Sequence, residues 1–110
     1  MPESYTFHPL AAQKQIEIWE YTFHEWGIEQ ADKYIDGLHQ QLANICSNLS
    51  LLRHLPSEVA PPDVKFFHYA RHYVFVRETP NHPGVKIQVL SILHDSMDIP
   101  ARLQEELEQL

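Results

Sequence analysis

The sequence predicts an α+β domain in which a helical hairpin packs on one face of a small, mostly antiparallel sheet. Two observations predict this class: apolar residues recur every three or four positions through the first half of the chain, and they alternate singly after Asp63. The first spacing is typical of amphipathic helices and the second of strands. A length of 110 residues suits one hydrophobic core, so residues 1–110 are predicted to form a single domain.

A short strand and a long helix are predicted at the start of the chain. Alternating aromatic and polar residues favour a first strand from Ser4 to His8. The next segment is predicted to be a helix from Pro9 to Trp26, because proline suits the first helical turn and Gly27 supplies a common helix stop. The stripe that we expect this helix to bury comprises Ala12, Ile16, Trp19, Phe23 and Trp26.

A second helix is predicted directly after Gly27, so the two helices are expected to fold back as an antiparallel hairpin. Its apolar stripe comprises Ala31, Ile35, Leu38, Leu42, Ile45, Leu49 and Leu52. Gly37 costs about 1 kcal/mol relative to alanine inside a helix, which suggests close packing at that position. Pro56 ends the helix, and Pro56 to Asp63 is predicted to be a loop.

The second half of the chain is predicted to be three strands. Alternation from Val64 to Tyr69 indicates the first of them, and a turn at Ala70 to His72 separates it from an apolar strand over Tyr73 to Val76. Thr79 to Gly84, with two prolines and a glycine, is a hairpin loop. Val85 to Leu93 becomes continuously apolar, which indicates a central strand that is buried on both faces.

A short helix is predicted within Ile99 to Leu110 from leucines spaced by four and three. The resulting order is β-α-α-β-β-β with an optional terminal helix, and the sheet is expected to have three or four strands. The acidic segment Arg102 to Leu110 is expected to be a solvated or loosely docked tail, with engagement of a target as the alternative.

Composition excludes several classes of function. Eight basic and fifteen acidic residues give a formal net charge of -7, which argues against direct nucleic-acid binding through phosphate neutralisation. The single cysteine, Cys46, cannot form an internal disulfide, and no apolar run or signal peptide is present, so we expect a cytoplasmic protein without a membrane span. The eight histidines, including His68 and His72, lack zinc-ligand spacing, so neither a metal nor another cofactor is expected.

The segment Ile92 to Asp98 is the most informative short stretch, because His94 and two carboxylates follow the end of a buried strand. Three interpretations of His94 stay open: a structural strand-end residue, part of a partner surface, or a catalytic group. The strands carry one predicted basic cluster, which is either a solvated edge or a partner contact. Its members are Arg71, His72 and Arg77.

The chain resembles the RelE/ParE superfamily of bacterial type II toxins over nearly its whole length. The marks of this resemblance are Phe7-His8-Pro9, Glu25-Trp26-Gly27, Ala31 to Leu38, Arg71 to Phe75, Ile92-Leu93-His94, Met97-Asp98 and Arg102-Leu103. The strand-end pattern ILH-x-x-MD is closer to the ParE branch than to the RelE branch. The resemblance implies a plasmid-stabilisation type toxin that is encoded beside an antitoxin and forms a hetero-oligomer with it.

The ParE resemblance implies a toxin that binds a protein, with DNA gyrase as the leading candidate, rather than an enzyme. Partner-binding residues are predicted to be Arg71, His72, Arg77, His94, Asp98 and Arg102. A first alternative is a metal-independent, ribosome-dependent mRNA endonuclease of the RelE kind, with His94 and Arg71 or Arg77 in its site. A second alternative is a non-toxic homologue that only binds antitoxin. The first strand and the outer face of the helical hairpin are the surfaces that we expect to accept an antitoxin.

Overall fold

The computed structural model describes residues 4–110 and confirms the predicted α+β class. The helices are α1 (Pro9–Trp26), α2 (Ile28–Ser47) and α3 (Ile99–Glu108). The strands are β1 (Tyr5–Phe7), β2 (Arg53–His54), β3 (Val64–Tyr69), β4 (His72–Glu78) and β5 (Ile87–His94). They form one sheet in the order β1-β5-β4-β3-β2, in which β1 pairs with β5 in parallel and the other neighbouring strands pair antiparallel. Within residues 4–110 no helix is long and apolar enough to cross a membrane.

The sheet has five strands rather than the three or four expected. The additional strand is β2, which pairs Arg53 with Phe66 of β3 at one edge. Two residues are too few to show any alternation, and the leucines before β2 continue the helical spacing of α2. In the structure α2 ends at Ser47, and a 3-10 turn over Leu49–Leu51 leads into β2.

The hairpin of α1 and α2 covers one face of the sheet, as predicted. Gly27 adopts a positive φ of 92° and its N–H donates to the carbonyl of Phe23, so it ends α1 and allows α2 to begin at the next residue. Leu38, Leu42 and Ile45 of α2 are almost completely buried. They pack on the side chains that β4 and β5 direct to that face, which are Val74, Val76, Ile87, Val89 and Ile92.

The predicted core stripe of α1 is wrong. The face that α1 buries contains Ala11, Thr22 and the half-buried Ile18, whereas Ile16 is 51% exposed and Trp26 is 73% exposed. The hydroxyl of Thr22 donates to the carbonyl of Ile18 at 2.8 Å, so a polar residue can face the core without an unpaired group. The most apolar face of α1 is therefore not its buried face.

The opposite face of the sheet is covered by α3 and by the loop between β2 and β3. Leu103 is completely buried, and it packs with Phe75, Leu90 and Leu93. The interpretation of Arg102 to Leu110 as a solvated or loosely docked tail is therefore wrong up to Glu108, where α3 ends. The helix is amphipathic, and its leucines fill a second core that an isolated tail would leave exposed.

The inner strand β5 is buried on both faces, as its apolar run predicts, and it changes register at one point. Phe75 of β4 lies opposite Ser91, but the next residue, Val76, lies opposite Val89, so Leu90 is an extra residue in β5. Such a bulge shifts which side chains face each layer. Here it gives the sheet face under α3 a polar residue, Ser91, which is almost completely buried.

A buried polar network satisfies Ser91 and connects three elements. The Ser91 hydroxyl donates to Oε1 of Glu106 on α3, and Nζ of Lys14 on α1 lies 3.3 Å from Oε2 of the same carboxylate. The side chain of Glu106 is 9% exposed and that of Lys14 is 19% exposed. A carboxylate at this depth requires a charged partner, so α1 and α3 hold each other against β5.

Gly37 marks a close approach between α2 and the sheet, as predicted. A methyl group at this position would overlap the hydroxyl of Tyr69 and lie 3.2 Å from the ring carbon that bears it. The same hydroxyl donates to the backbone carbonyl of Tyr34 at 2.8 Å. Only glycine at position 37 therefore lets Tyr69 of β3 reach the backbone of α2.

Gly37→Ala is expected to lower the free energy of unfolding by about 1–2 kcal/mol, because the overlap outweighs the gain in helix propensity of about 1 kcal/mol. The same substitution in a Tyr69→Phe background should cost less, since the overlapping oxygen is then absent. Urea denaturation of the four proteins in this double-mutant cycle measures the coupling. Equal costs of Gly37→Ala in both backgrounds would contradict the proposed contact.

Glu106→Ala is expected to lower the free energy of unfolding by about 1–3 kcal/mol, because it leaves the Lys14 ammonium and the Ser91 hydroxyl without their carboxylate. The matched control is Glu105→Ala, which removes an exposed glutamate from the same helix and should change the value by less than about 0.5 kcal/mol. Chemical denaturation at neutral pH compares the two variants. Equal losses for both would show that the network does not stabilise the fold.

Candidate functional site

A cleft of about 540 Å³ lies between the helical hairpin and the adjoining ends of β4 and β5. Lys14, Glu17, Ile18, Tyr21, Thr22 and Trp26 line it from α1, and Gln30 and Tyr34 line it from α2. Arg71, His72, Ile92, His94, Ser96 and Met97 complete it from the sheet and the segments that follow its strands. The segment Ile92 to Asp98, which the sequence singles out, therefore contributes to a cleft with both polar and apolar lining.

Tyr34 fixes the floor of the cleft. Its hydroxyl lies 2.6 Å from Nδ1 of His72, and the backbone N–H of Arg71 donates to the same oxygen at 3.3 Å. Because that oxygen accepts from Arg71, its own hydrogen is free to point to the imidazole. Burial raises the pKa of Tyr34, so the phenol stays protonated and can donate to His72.

His72 is held in its neutral form. The pKa of His72 is lowered to about 4, chiefly by burial and to a smaller extent by the neighbouring His94 and His68, while Asp95 acts in the opposite direction. The rings of His72 and His94 meet edge to face with their centroids 5.2 Å apart. A neutral imidazole that accepts from Tyr34 satisfies both groups without placing a charge beneath the cleft.

His94 closes β5 through local hydrogen bonds. Its Nδ1 accepts from the backbone N–H of Ser96 at 3.1 Å and lies 2.7 Å from the hydroxyl of the same residue. The carboxylate of Asp95 lies between two histidines, 3.6 Å from Nδ1 of His94 and 3.5 Å from Nε2 of His68. His94 is thus a strand-end residue held by local hydrogen bonds, as its structural interpretation expects. Its side chain also lines the cleft.

The turn between β3 and β4 presents Arg71 at the cleft. It consists of Ala70 and Arg71, since His72 already pairs with Tyr69, and Ala70 adopts a left-handed φ of 52°. The carbonyl of Arg71 accepts from the N–H of Asp95 at 2.9 Å. With its N–H bound to Tyr34 and its carbonyl bound to Asp95, the backbone of Arg71 is fixed. Within residues 4–110, no carboxylate forms an ion pair with its exposed side chain.

The structure brings together three of the six predicted partner-binding residues, Arg71, His72 and His94. Arg77 is not among them, because it stands near the other end of β4 and pairs with Asp63 at 2.7 Å. The predicted basic cluster is therefore divided between two ends of one strand. Asp98 caps α3 by accepting from the N–H of Ala101 at 3.4 Å, and Arg102 is exposed on the same helix.

Sequence reasoning missed the residues that give the cleft its apolar rim and its floor. Tyr21 is 66% exposed and Met97 is 39% exposed, and they flank the mouth together with Trp26. Tyr34 lies within the segment Ala31 to Leu38 that marks the resemblance, but nothing in the spacing shows that it points to a turn 37 residues further along the chain. Across residues 4–110 no three His, Cys, Asp or Glu side chains converge as ligands for a metal ion.

Cys46 is buried at the other end of the hairpin. Burial raises the pKa of its thiol, and the thiol lies 3.5 Å from the carbonyl of Ser4. A thiol that stays protonated is a poor nucleophile, so this residue packs rather than reacts.

Comparison with known proteins identifies a consistent set of relatives. Residues 5–99 match the family described as ParE toxin of type II toxin-antitoxin system, parDE. Toxin ParE of Escherichia coli is 32% identical over 105 residues, which cover 93% of this chain and 97% of that protein. Toxin ParE1 of Mycobacterium tuberculosis (strain H37Rv) is 28% identical over 103 residues, which cover 94% of this chain and 100% of that protein.

The fold also matches a solved structure, the chromosomal ParDE TA system from P. aeruginosa. The TM-score is 0.64 and the sequence identity is 21%, and the alignment covers 84% of this chain and 96% of the other. At this identity the match supports the fold, and it assigns no role to individual side chains.

The stability of the protein should fall as the pH is lowered from about 6.5 towards 4. The pKa of His72 is about 4 in the folded state and near 6.5 in the unfolded chain, so only the unfolded state takes up this proton within that window. Stability conferred by neutral His72 is therefore complete above the unfolded pKa and is lost below it, with a slope of at most about 1.4 kcal/mol per pH unit.

Urea denaturation at a series of pH values measures this slope for the wild type and for His72→Gln, in which it should become shallower. His82→Gln, which changes an exposed histidine, is the matched control and should leave the slope unaltered. An NMR titration in which the His72 ring protonates near pH 6.5 in the folded protein would contradict the expected burial effect.

Proposed function

The chain belongs to the ParE toxin family of type II toxin–antitoxin systems, and from this premise we propose that it binds a protein target, with DNA gyrase the leading candidate. We propose further that a cognate antitoxin, encoded beside it, neutralises it by forming a hetero-oligomer. The gyrase assignment rests on the resemblance to the ParE branch. What this chain adds is a cleft whose composition suits protein recognition.

The observation that carries the proposal is the rim of the cleft. Tyr21, Trp26 and Met97 are large, exposed and apolar, and all three border the same opening. Aromatic residues, methionine and arginine are enriched in the buried centres of protein interfaces, and tryptophan, tyrosine and arginine dominate their binding energy. A surface with these three residues around one opening favours a protein partner over a small polar substrate.

Arg71 supplies the polar contact of the proposed interface. Its backbone is held on both sides by Tyr34 and Asp95, and its side chain is exposed beside the apolar rim. A guanidinium on a fixed backbone loses little conformational entropy when it binds a carboxylate or a carbonyl of a partner. We expect it to orient the partner, while the rim supplies most of the affinity.

The second candidate is mRNA cleavage, and one observation favours it: Arg71, His94 and Tyr34 line the same cleft. A cationic group beside an imidazole and a phenol is a set from which acid–base cleavage of a phosphodiester could be built. Three features weigh against it. His72 is neutral down to about pH 4, Glu17 and Asp95 place negative charge around the cleft, and the net charge of the chain is -7.

In a supercoiling reaction with purified bacterial DNA gyrase, the protein is expected to inhibit the enzyme and trap cleaved DNA complexes. Trp26→Ser and Arg71→Ala should each raise the inhibitory concentration by about 10-fold or more, since both remove residues of the kind that dominate interfaces. The matched controls are Leu51→Ser, which changes an exposed leucine elsewhere, and Arg77→Ala, which changes the arginine outside the cleft. Both controls should inhibit as the wild type does.

Complete inertness of the wild type at a stoichiometric excess would contradict gyrase as the target. Cuts in mRNA on translating ribosomes that disappear in His94→Ala would establish the nuclease instead. A chain that binds its antitoxin but neither arrests growth nor affects gyrase would be a non-toxic homologue.

A further inference from the structure

Two histidines that line the cleft are held in the same tautomer by their hydrogen bonds. Nδ1 of His72 accepts from the hydroxyl of Tyr34, and Nδ1 of His94 accepts from the backbone N–H of Ser96. A neutral imidazole that accepts at Nδ1 carries its hydrogen on Nε2. Within residues 4–110 neither of these Nε2 atoms has a hydrogen-bonding partner. Both rings therefore present an unused N–H donor.

Arg71 adds a positive charge to these two donors. Its side chain is exposed at the cleft, and no carboxylate of the described chain lies within ion-pair distance of it. Lys14, which also lines the cleft, is already paired with Glu106 on α3. The sheet side of the cleft thus combines three donor side chains with one uncompensated cation.

The nearby carboxylate of Asp95 does not occupy these donors. It lies 3.6 Å from Nδ1 of His94 and 3.5 Å from Nε2 of His68, so it approaches His94 on the Nδ1 side of the ring. Among residues 4–110, the one carboxylate that lines the cleft is that of Glu17, on the α1 side. The donors on the sheet side are therefore left for a group that comes from outside the chain.

The donor set selects a carboxylate. A guanidinium binds a carboxylate through two parallel N–H···O bonds, whereas a neutral carbonyl would leave the charge of Arg71 uncompensated. A phosphodiester also carries one negative charge, but a nucleic acid would bring further phosphates towards Glu17 and towards a chain of net charge -7. A protein segment brings a single carboxylate with neutral neighbours.

The rest of the cleft selects an apolar neighbour for that carboxylate. Ile18 and Tyr21 line the cleft from α1 and Ile92 lines it from β5, beneath the mouth that Trp26 and Met97 flank. A volume of about 540 Å³ admits a few side chains of a partner and no folded domain. Apolar lining beside a few polar groups is the usual composition of a site that takes up a short segment.

We propose that Arg71, His72 and His94 form a carboxylate-binding site, and that the cleft takes up a segment of the target protein in which an aspartate or glutamate lies next to a large apolar residue. This inference rests on the proposed function, and it names the feature by which the target is recognised. The three donors bind the carboxylate, and the apolar residue packs against Trp26. Tyr34 is a positioning residue, because it keeps the hydrogen of His72 on Nε2 and holds the backbone of Arg71.

An NMR titration of the whole chain at neutral pH tests the site with N-acetylphenylalanine, a probe that joins a carboxylate to an apolar ring. The matched neutral probe is N-acetylphenylalanine amide. The acid should bind with a dissociation constant of about 1 mM, as a ligand of this size allows, and should shift the Nε2 resonances of His72 and His94. The amide should bind at least about 10-fold more weakly, because it cannot pair with Arg71.

Variants assign the donors. Arg71→Gln should weaken binding of the acid by about 10-fold, and Arg77→Gln, outside the cleft, is the matched control that leaves it unchanged. His94→Asn keeps an acceptor for the N–H of Ser96 and loses the distal donor, so it should weaken binding by about 3-fold. His94→Gln restores a donor at that distance and should bind better than His94→Asn. Glu17→Gln should strengthen binding by about 2-fold, because it removes a like charge. Thermal unfolding verifies that each variant is folded.

The outcomes separate this inference from the proposed function. Equal binding of the acid and the amide, or spectra in which His72 and His94 carry their hydrogen on Nδ1, would overturn the site, while gyrase inhibition by the wild type would leave the proposed function intact. If the wild type binds the acid as expected and does not affect gyrase, gyrase fails as the target and the carboxylate site stands.

Two further outcomes concern the occupant. An oligouridylate RNA that shifts the same resonances at lower concentrations than the acid would make this a phosphate site and overturn the inference. The variants that lose the acid should also lose gyrase inhibition. If Arg71→Gln and His94→Asn keep full inhibition and instead lose binding to the antitoxin, the segment belongs to the antitoxin, which overturns the inference equally.

Discussion

The burial of both faces of β5 is the constraint on which the rest of the structure depends. A strand that is apolar on both faces requires a layer on each side, so the hairpin covers one face and α3 the other. The bulge at Leu90 keeps both faces filled, but it turns Ser91 into the interior. The Ser91 hydroxyl is hydrogen-bonded to Glu106 on α3, and the Glu106 carboxylate is paired with Lys14 on α1. A single buried residue of β5 therefore helps to fix the positions of two helices.

Lys14 and Thr22 lie on the side of α1 that packs against the rest of the fold. An apolar side of the helix, with Ile16 and Phe23, therefore stays exposed to solvent. One flank of α1, with Tyr21, faces the cleft, and the other carries the Trp19–Phe23 stack. The helix therefore lies between two surfaces, and Trp26 belongs to the one that lines the cleft.

The sequence predicts the elements well, because their signals are local. The bounds of α1, the helix stop at Gly27 and the buried run of β5 follow from spacing and from the conformational freedom of glycine. Side-chain partners over long separations have no such signal. The choice of the Thr22 side over the Trp19 side depends on where the sheet lies, and the bond from Tyr34 to His72 joins residues 38 positions apart. Of the candidate site, the strand end at His94 and the turn at Arg71 are readable from sequence, whereas the rim and the neutral His72 are not.

The parallel pairing of β1 with β5 sets the order of events while the chain is being made. Tyr5–Phe7 are synthesised before their partners, Ile87, Gln88 and Val89, which lie 82 positions further along the chain. Closing a loop of that length has an entropic cost that local contacts do not offset, so β1 must wait. The cleft is completed only when the ends of β4 and β5 and the following segment with Met97 are present. A nascent chain that has not yet reached Met97 thus lacks the surface by which we propose it acts, and β1 stays unpaired until β5 has been made.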